Sequence, residues 1–265
     1  MDRLVSGAMA LIRGCHRQII ALMILRPLPV ILIGGIFMSL SQLSMWAQDW
    51  KPAGERMLSA WADGVDPAKP LPDYPRPQLV RQVWGNLNGL WDYAITAKEA
   101  PMPESWEGNK ILVPYAIESA LSGVGKTVGG ENRLWYRTPF TVPDPWREDA
   151  LLLHFGAVDW HAEVMVNGKK VAEHKGGYTP FDVNISDALI EGEEQELVVS
   201  VWDPTDDGYQ PRGKQVKDPK GIWYTSVTGI WQTVWLEPVP ESSISRLETI
   251  PDVDASAVHV TVQAR

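Results

Sequence analysis

The residues best equipped for chemistry are gathered in one stretch, "VSVWDPTDDGYQPRGKQ", Val199 to Gln215. An alternating apolar run ends in three carboxylates, Asp203, Asp206 and Asp207, followed by a Gly, a Tyr and a basic tail. A calcium loop is one chemistry for such acids. It needs alternating oxygen ligands, a Gly at the bend and a closing Glu between two helices. Asp203, Asp207 and Gly208 fit, but the closing position falls on Lys214 and the flanks read as strands, so a metal is not expected. A strand-ending turn is the second chemistry, with the Asp203 side chain accepting from nearby backbone N–H groups. Sugar binding is the third. A carboxylate accepts strong hydrogen bonds from adjacent hydroxyls. Tyr209, Trp202 or Trp223 can wall the C–H face of a sugar ring, and Arg212, Lys214 and Gln215 can donate to its oxygens. The connection from Pro204 to Lys220 is long for a compact domain, where such loops are functional or disordered. These residues alone leave the turn and the sugar readings both open.

The other candidates are weaker. His154 lies in an apolar strand and His161 opens the next, with no third ligand at metal-binding spacing. Core or surface roles suit them better. No Ser stands in a nucleophile elbow. "GVGKTVGG", Gly123 to Gly130, contains Gly-Lys-Thr but lacks the upstream Gly and the following helix of a phosphate loop. The single Cys, Cys15, rules out a disulfide framework and a Cys-based zinc site. No cofactor and no catalytic residue is expected from this set.

The elements that must position these side chains are strands. "GLWDYAI", "RLWYRTPFTV" (limited by Pro139), "ALLLHFGAV", "EQELVVSVW" and "GIWQTVWLEPV" alternate or run apolar, and turn residues separate them. "AEVMVNGKKVAEH" holds two strands around Asn167-Gly168, the dipeptide of a type I′ hairpin. No long helical period follows residue 50. The fold class is therefore all-β, an antiparallel β-sandwich, over about residues 82–240. Residues 241–265 read as the first two strands of another β domain, ending in mid-strand at Arg265, as in a fragment or a truncated product.

Composition narrows the partners. The chain is 45% apolar, with 13 Trp against 4 Phe, a bias that serves both cores and sugar platforms. A net charge of -9 argues against nucleic acid. Arg26 to Gln48 has a basic lead, the apolar run Val30 to Leu40 and small residues, the layout of a secretory signal. Residues 1–48 are read as a signal peptide with an over-long leading region, and Met23 gives the conventional start. A retained anchor is the alternative. Export to the periplasm or medium and a mature start near residue 48 are expected. Residues 49–81 carry six prolines and read as a linker draped over the surface.

Seven stretches in register resemble the N-terminal sugar-binding domain of glycoside hydrolase family 2. They are "LNGLWDYAI", "ILVPYAIESALSG", "LWYRTPFTVP", "LLHFGAVDWHAEVMVNGKKVAEHKGGYTPFDVNIS", "LVVSVWDPTDD", "PRGKQ" and "GIWYTSVTGIWQTVWLEPV". The resemblance covers about residues 80–240 and implies a jelly-roll sandwich of the galactose-binding-domain type. An immunoglobulin-like domain and a (β/α)₈ barrel carrying two catalytic Glu would then follow. The implied partners are a carbohydrate β-glycoside and those downstream domains, and the barrel is not in this sequence. An Asp at the end of the strand before the long loop contacts substrate hydroxyls in the family, and Asp203 matches that place. Glu118, in "VPYAIES", is a further candidate on that side. The implied function is the N-terminal part of a secreted, retaining β-glycosidase, with Asp203, Glu118, Tyr209 and Arg212 as substrate contacts. A free-standing carbohydrate-binding module and a structural domain with a vestigial site are the rivals.

Overall fold

The computed structural model describes residues 50–54, 58–106 and 108–264. The expected signal peptide, with Cys15, Met1 and Met23, lies outside them. Sixteen strands follow in chain order: β1 (Gly85–Asn86), β2 (Gly89–Ala97), β3 (Lys110–Val113), β4 (Asn132–Thr141), β5 (Ala150–Phe155), β6 (Val158–Asp159), β7 (His161–Val166) and β8 (Lys169–Lys175), then β9 (Phe181–Asn184), β10 (Glu194–Trp202), β11 (Gln215–Val216), β12 (Tyr224–Thr225), β13 (Gly229–Ile230), β14 (Val234–Val239), β15 (Ile244–Asp252) and β16 (Ala257–Ala264).

Two antiparallel sheets face each other. One has the order β3-β2-β4-β10-β7-β8 and the other β1-β14-β5-β9. The period-2 pattern explains the layers. Leu197, Val199 and Val201 of β10 point inward with Leu134 and Tyr136 of β4. They meet Leu151, Leu153 and Phe155 of β5 and Val234 and Leu236 of β14 from the opposite sheet. On the outer face of the six-stranded sheet, Trp106 covers Trp135 and Val198. The Arg137 guanidinium stacks 4.9 Å over the Trp106 ring.

Pro139 is tolerated because β2 pairs with β4 only as far as Arg137, whereas β10 continues along the other edge. Two expected strands are divided. "ALLLHFGAV" gives β5 and β6, and "GIWQTVWLEPV" gives β13 and β14. The breaks coincide, since Gly156 N donates to Thr233 O and Trp231 N to Ala157 O across the bend. β6 and β13 therefore leave the four-stranded sheet together, as their own pair. That departure carries Asp159 and Thr228 to the end of the sandwich where β10 stops.

The Pro-rich segment is tied down on the outer face of the four-stranded sheet. Asn86 and Asn88 donate to the carbonyls of Leu71 and Pro70. Tyr74 Oη and Arg76 Nη2 reach the buried Glu237 carboxylate of β14 at 2.6 Å. β15 and β16 form a hairpin whose strands pair over eight positions and are largely exposed on both faces.

Candidate functional site

β10 ends at Trp202, and Asp203 is the first residue past it, only 3% exposed. Its Oδ1 accepts from Thr205 N at 2.7 Å, and its Oδ2 from Thr228 Oγ1 at 2.9 Å and Thr205 Oγ1 at 3.3 Å. These bonds hold Thr205 at φ +57°, a costly conformation for a β-branched residue. Asp203 thus makes the local turn, and it also ties that turn to a distant segment.

Glu118 comes from the loop after β3. Its Oε2 accepts from Thr228 N at 2.9 Å and its Oε1 from Ser226 Oγ at 3.2 Å. Asp203 and Glu118, which the sequence separates widely, therefore meet through one buried threonine. Asp159, at the end of β6, is the third acid of the group and is 7% exposed. Its carboxylate packs so close to Gly177 that a Cβ there would lie 2.5 Å from it. Among the described residues no hydrogen bond reaches this carboxylate. Gly229, at φ +93°, runs so near Tyr136 that a Cβ would stand 1.9 Å from its hydroxyl oxygen. Only glycine lets the Tyr136 hydroxyl accept from Ile230 N beneath the cluster.

Electrostatics follow from this geometry. Burial lifts Glu118 to about 7, against the hydrogen bonds from Thr228 and Ser226. Burial and then repulsion by Asp203 and Glu118 lift Asp159 to about 8. Burial raises Asp203 as well, opposed by its bonds from Thr205 and Thr228. Tyr178 is raised by burial and by Asp159 and Asp203. Asp159, with no hydrogen bond among the described residues to favour its charge, holds its proton, whereas the oxygens of Asp203 and Glu118 all accept hydrogen bonds that favour their charged forms against burial.

The remaining sequence candidates lie on the loop above. Tyr209 is fully exposed. Arg212 Nη1 donates to Asp206 O at 3.2 Å. Among the described residues no hydrogen bond joins Tyr209 or Arg212 to Asp203 or Glu118. Trp223 and Tyr224 are exposed where β12 pairs with β11 in parallel. The loop is pinned to the sandwich by Tyr178 Oη, which donates to Gln215 Oε1 at 3.3 Å.

The two histidines part company. His154 is buried and stacks 4.7 Å from Trp235. His161 sits on the other sheet beside Glu163 and Glu173, whose carboxylates Lys170 already holds at 2.6 Å and 2.7 Å. The sequence expectation saw no third partner for His161 because Glu173 arrives through β7–β8 pairing rather than by spacing. Asp159, Thr228 and Tyr178 were not singled out from the sequence. A buried Asp inside "FGAVDW" is its only trace there.

Residues 84–240 match the family model "Glycosyl hydrolases family 2, sugar binding domain". A β-glucuronidase of Paenibacillus borealis is 27% identical over 133 residues, which is 48% of this chain and 22% of that protein. A β-galactosidase of Thermoanaerobacter pseudethanolicus is 32% identical over 122 residues, 44% of this chain and 15% of that protein. The chain therefore spans about a fifth of the length of the curated relatives it matches. Among solved structures, a β-glucuronidase of Lactobacillus rhamnosus superposes with a TM-score of 0.54 at 23% identity, covering 70% of this chain and 34% of that one. That likeness shows the fold.

Proposed function

Because the chain belongs to glycosyl hydrolase family 2 through its sugar-binding domain, we propose that it is the carbohydrate-contacting N-terminal part of an exported β-glycosidase. In this reading, residues 241–265 open an immunoglobulin-like domain, and a downstream barrel supplies the two carboxylates of a retaining mechanism. Those groups stand roughly 5 Å apart, one as nucleophile and one as acid/base. This domain supplies one wall of the substrate site.

The observation that carries the proposal is the convergence of Asp203, Glu118 and Asp159 at one end of the sandwich, beneath an exposed loop bearing Tyr209, Arg212 and Trp223. Asp203 and Glu118 meet sugar hydroxyls from below, and Tyr209 and Arg212 close on the ring from the loop. The carboxylates of Asp203 and Glu118 accept from sugar hydroxyls, and the protonated Asp159 adds a donor.

The test is Asp203→Asn against Asp206→Asn in the full-length protein, each with a thermal melt. Loss of a hydrogen bond from a charged partner costs about 1–3 kcal/mol. That corresponds to roughly 5–150-fold in kcat/KM. Asp203→Asn is expected to lose activity in that range and Asp206→Asn to keep it. Equal, undiminished kinetics for both would leave Asp203 as a turn residue. One observation favours a second reading. The Asp203 oxygens already hold three protein hydrogen bonds, which is what an anchor for the loop requires. In that case the melt falls and the kinetics follow it.

A further inference from the structure

We propose that the groove between the Pro-rich segment and the loops carrying Tyr178 and Trp231 is a carbohydrate subsite, one that takes the apolar face of a neutral pyranose. The inference rests on the carbohydrate reading above. It adds a second point of contact beside the acid cluster, walled by Tyr178 and Trp231 rather than by the carboxyl groups.

The groove encloses about 400 Å³, within the range of small-ligand sites, roughly 300–1,000 Å³. Tyr178 and Trp231 form its aromatic corner, with ring centroids 6.2 Å apart and planes at 75°. The Trp231 indole N–H donates to Gly177 O at 2.8 Å. That bond fixes the ring and occupies its polar edge, which leaves an apolar face for a ligand. Tyr178 is 47% exposed, so its ring is available. Pro75 and Pro180 add to the apolar lining. Gln232 is exposed beside the corner and offers both donors and an acceptor to hydroxyls.

Charge selects among sugars. The one cation on the wall, Arg76, has its guanidinium held by both oxygens of Glu237, at 2.7 Å and 2.6 Å. A matched charge gives an incoming carboxylate little reason to bind. Aromatic faces with a neutral amide rim fit a hydroxylated ring instead. Arg76 and Pro75 reach this position only because the Pro-rich segment is docked on β14, so that segment builds a wall as well as joining parts of the chain.

The experiment titrates the purified chain with methyl β-D-galactopyranoside and, separately, with methyl β-D-glucuronide. Tryptophan fluorescence and saturation-transfer NMR report binding. The galactoside is expected to bind saturably and more tightly than the glucuronide. Tyr178→Ala and Trp231→Ala should each weaken it by about tenfold or more, the usual cost of truncating an aromatic anchor. Trp231→Phe keeps a face but not the N–H and should retain binding. Asp206→Asn, outside both proposed contacts, should leave it unchanged. Should Trp231→Ala fail to fold, Tyr178→Ala decides, with Tyr178→Phe, which keeps the ring and drops only the bond to Gln215, expected to retain binding. Wild-type binding in Tyr178→Ala, or no saturable binding of either glycoside by the unmodified chain, overturns the subsite. Loss of binding in Asp203→Asn with none in Tyr178→Ala also overturns it, and places the sugar at the acid cluster. A proline-rich peptide that binds where both glycosides fail would assign the groove to protein contact instead.

Discussion

Asp159 links stability to pH. Its carboxyl ordinarily titrates at 3.8 but holds its proton to about 8 in the fold, and Glu118 moves from 4.5 to about 7. Between those limits the unfolded chain binds fewer protons than the folded one, so stability falls as pH rises. It is fully present below the unfolded values and lost as pH climbs through 7 and 8. The groups facing Asp159 are Asp203, Glu118 and Tyr178, none of them cationic. Melts at several pH values should therefore show wild type declining from about pH 5 to pH 8. Asp159→Asn should melt higher than wild type at pH 8 by about 2–4 °C per kcal/mol regained, with little difference at pH 5. A variant that tracks wild type across the range would remove the claim. Glu237 behaves in the opposite sense. Burial works against its charge, but contacts from His154, Tyr74 and Trp235 outweigh burial and hold it far below the usual carboxylate range. Its contribution is lost on acidification.

Two elements can be tested separately. In the β7–β8 hairpin, Asn167 and Gly168 adopt φ +50° and +76°, as a type I′ turn requires. Asn167 also donates to Ala188 O and Gln195 Oε1, so the turn is locked to its neighbours. Gly168→Val should cost roughly 1 kcal/mol or more, because a β-branched side chain resists positive φ. A denaturant midpoint equal to wild type would contradict this. The second element is the Pro-rich segment. Glu237 is fully buried and takes Arg76 at 2.6 Å, with Arg81 Nε at 3.6 Å and His154 Nε2 at 3.5 Å. Glu237→Gln leaves partly buried cations without their counter-charge, at a cost of about 2 kcal/mol or more. Limited trypsin digestion should then cut after Arg81 faster than in wild type, Arg76 being protected by the following Pro77. An unchanged digestion rate would mean that the asparagine bonds to Pro70 and Leu71 hold the segment unaided.

At the scale of the whole molecule, the described chain is a two-sheet sandwich with a terminal hairpin, and its acids are hydrogen-bonded or packed beneath a loop. Under the proposed function, in which a downstream barrel supplies both catalytic carboxylates, these 265 residues are expected by themselves to hydrolyse no aryl β-glycoside. Turnover that survives a contamination control would refute that. Much of this architecture was legible beforehand. The apolar alternation Leu197, Val199, Val201 in "EQELVVSVW" marks the inward face of β10, while Val198 and Ser200 are buried on the other face as well. Asn167-Gly168 marks its turn because few other residues accept those dihedrals. Asp203 stood out because acids at a strand end are conspicuous. Local patterns of this kind determine which elements form and the class of fold they pack into. They do not encode which distant residues meet. The joint bending of β5–β6 with β13–β14 depends on cross-strand bonds. That bend brings Asp159 to Asp203 and lets one threonine hold both Glu118 and Asp203. The docking of Tyr74 and Arg76 onto Glu237 likewise needs a buried carboxylate 161 or more positions away. Such meetings are fixed by how the packed sheets bring remote segments together, so only the tertiary structure could decide them.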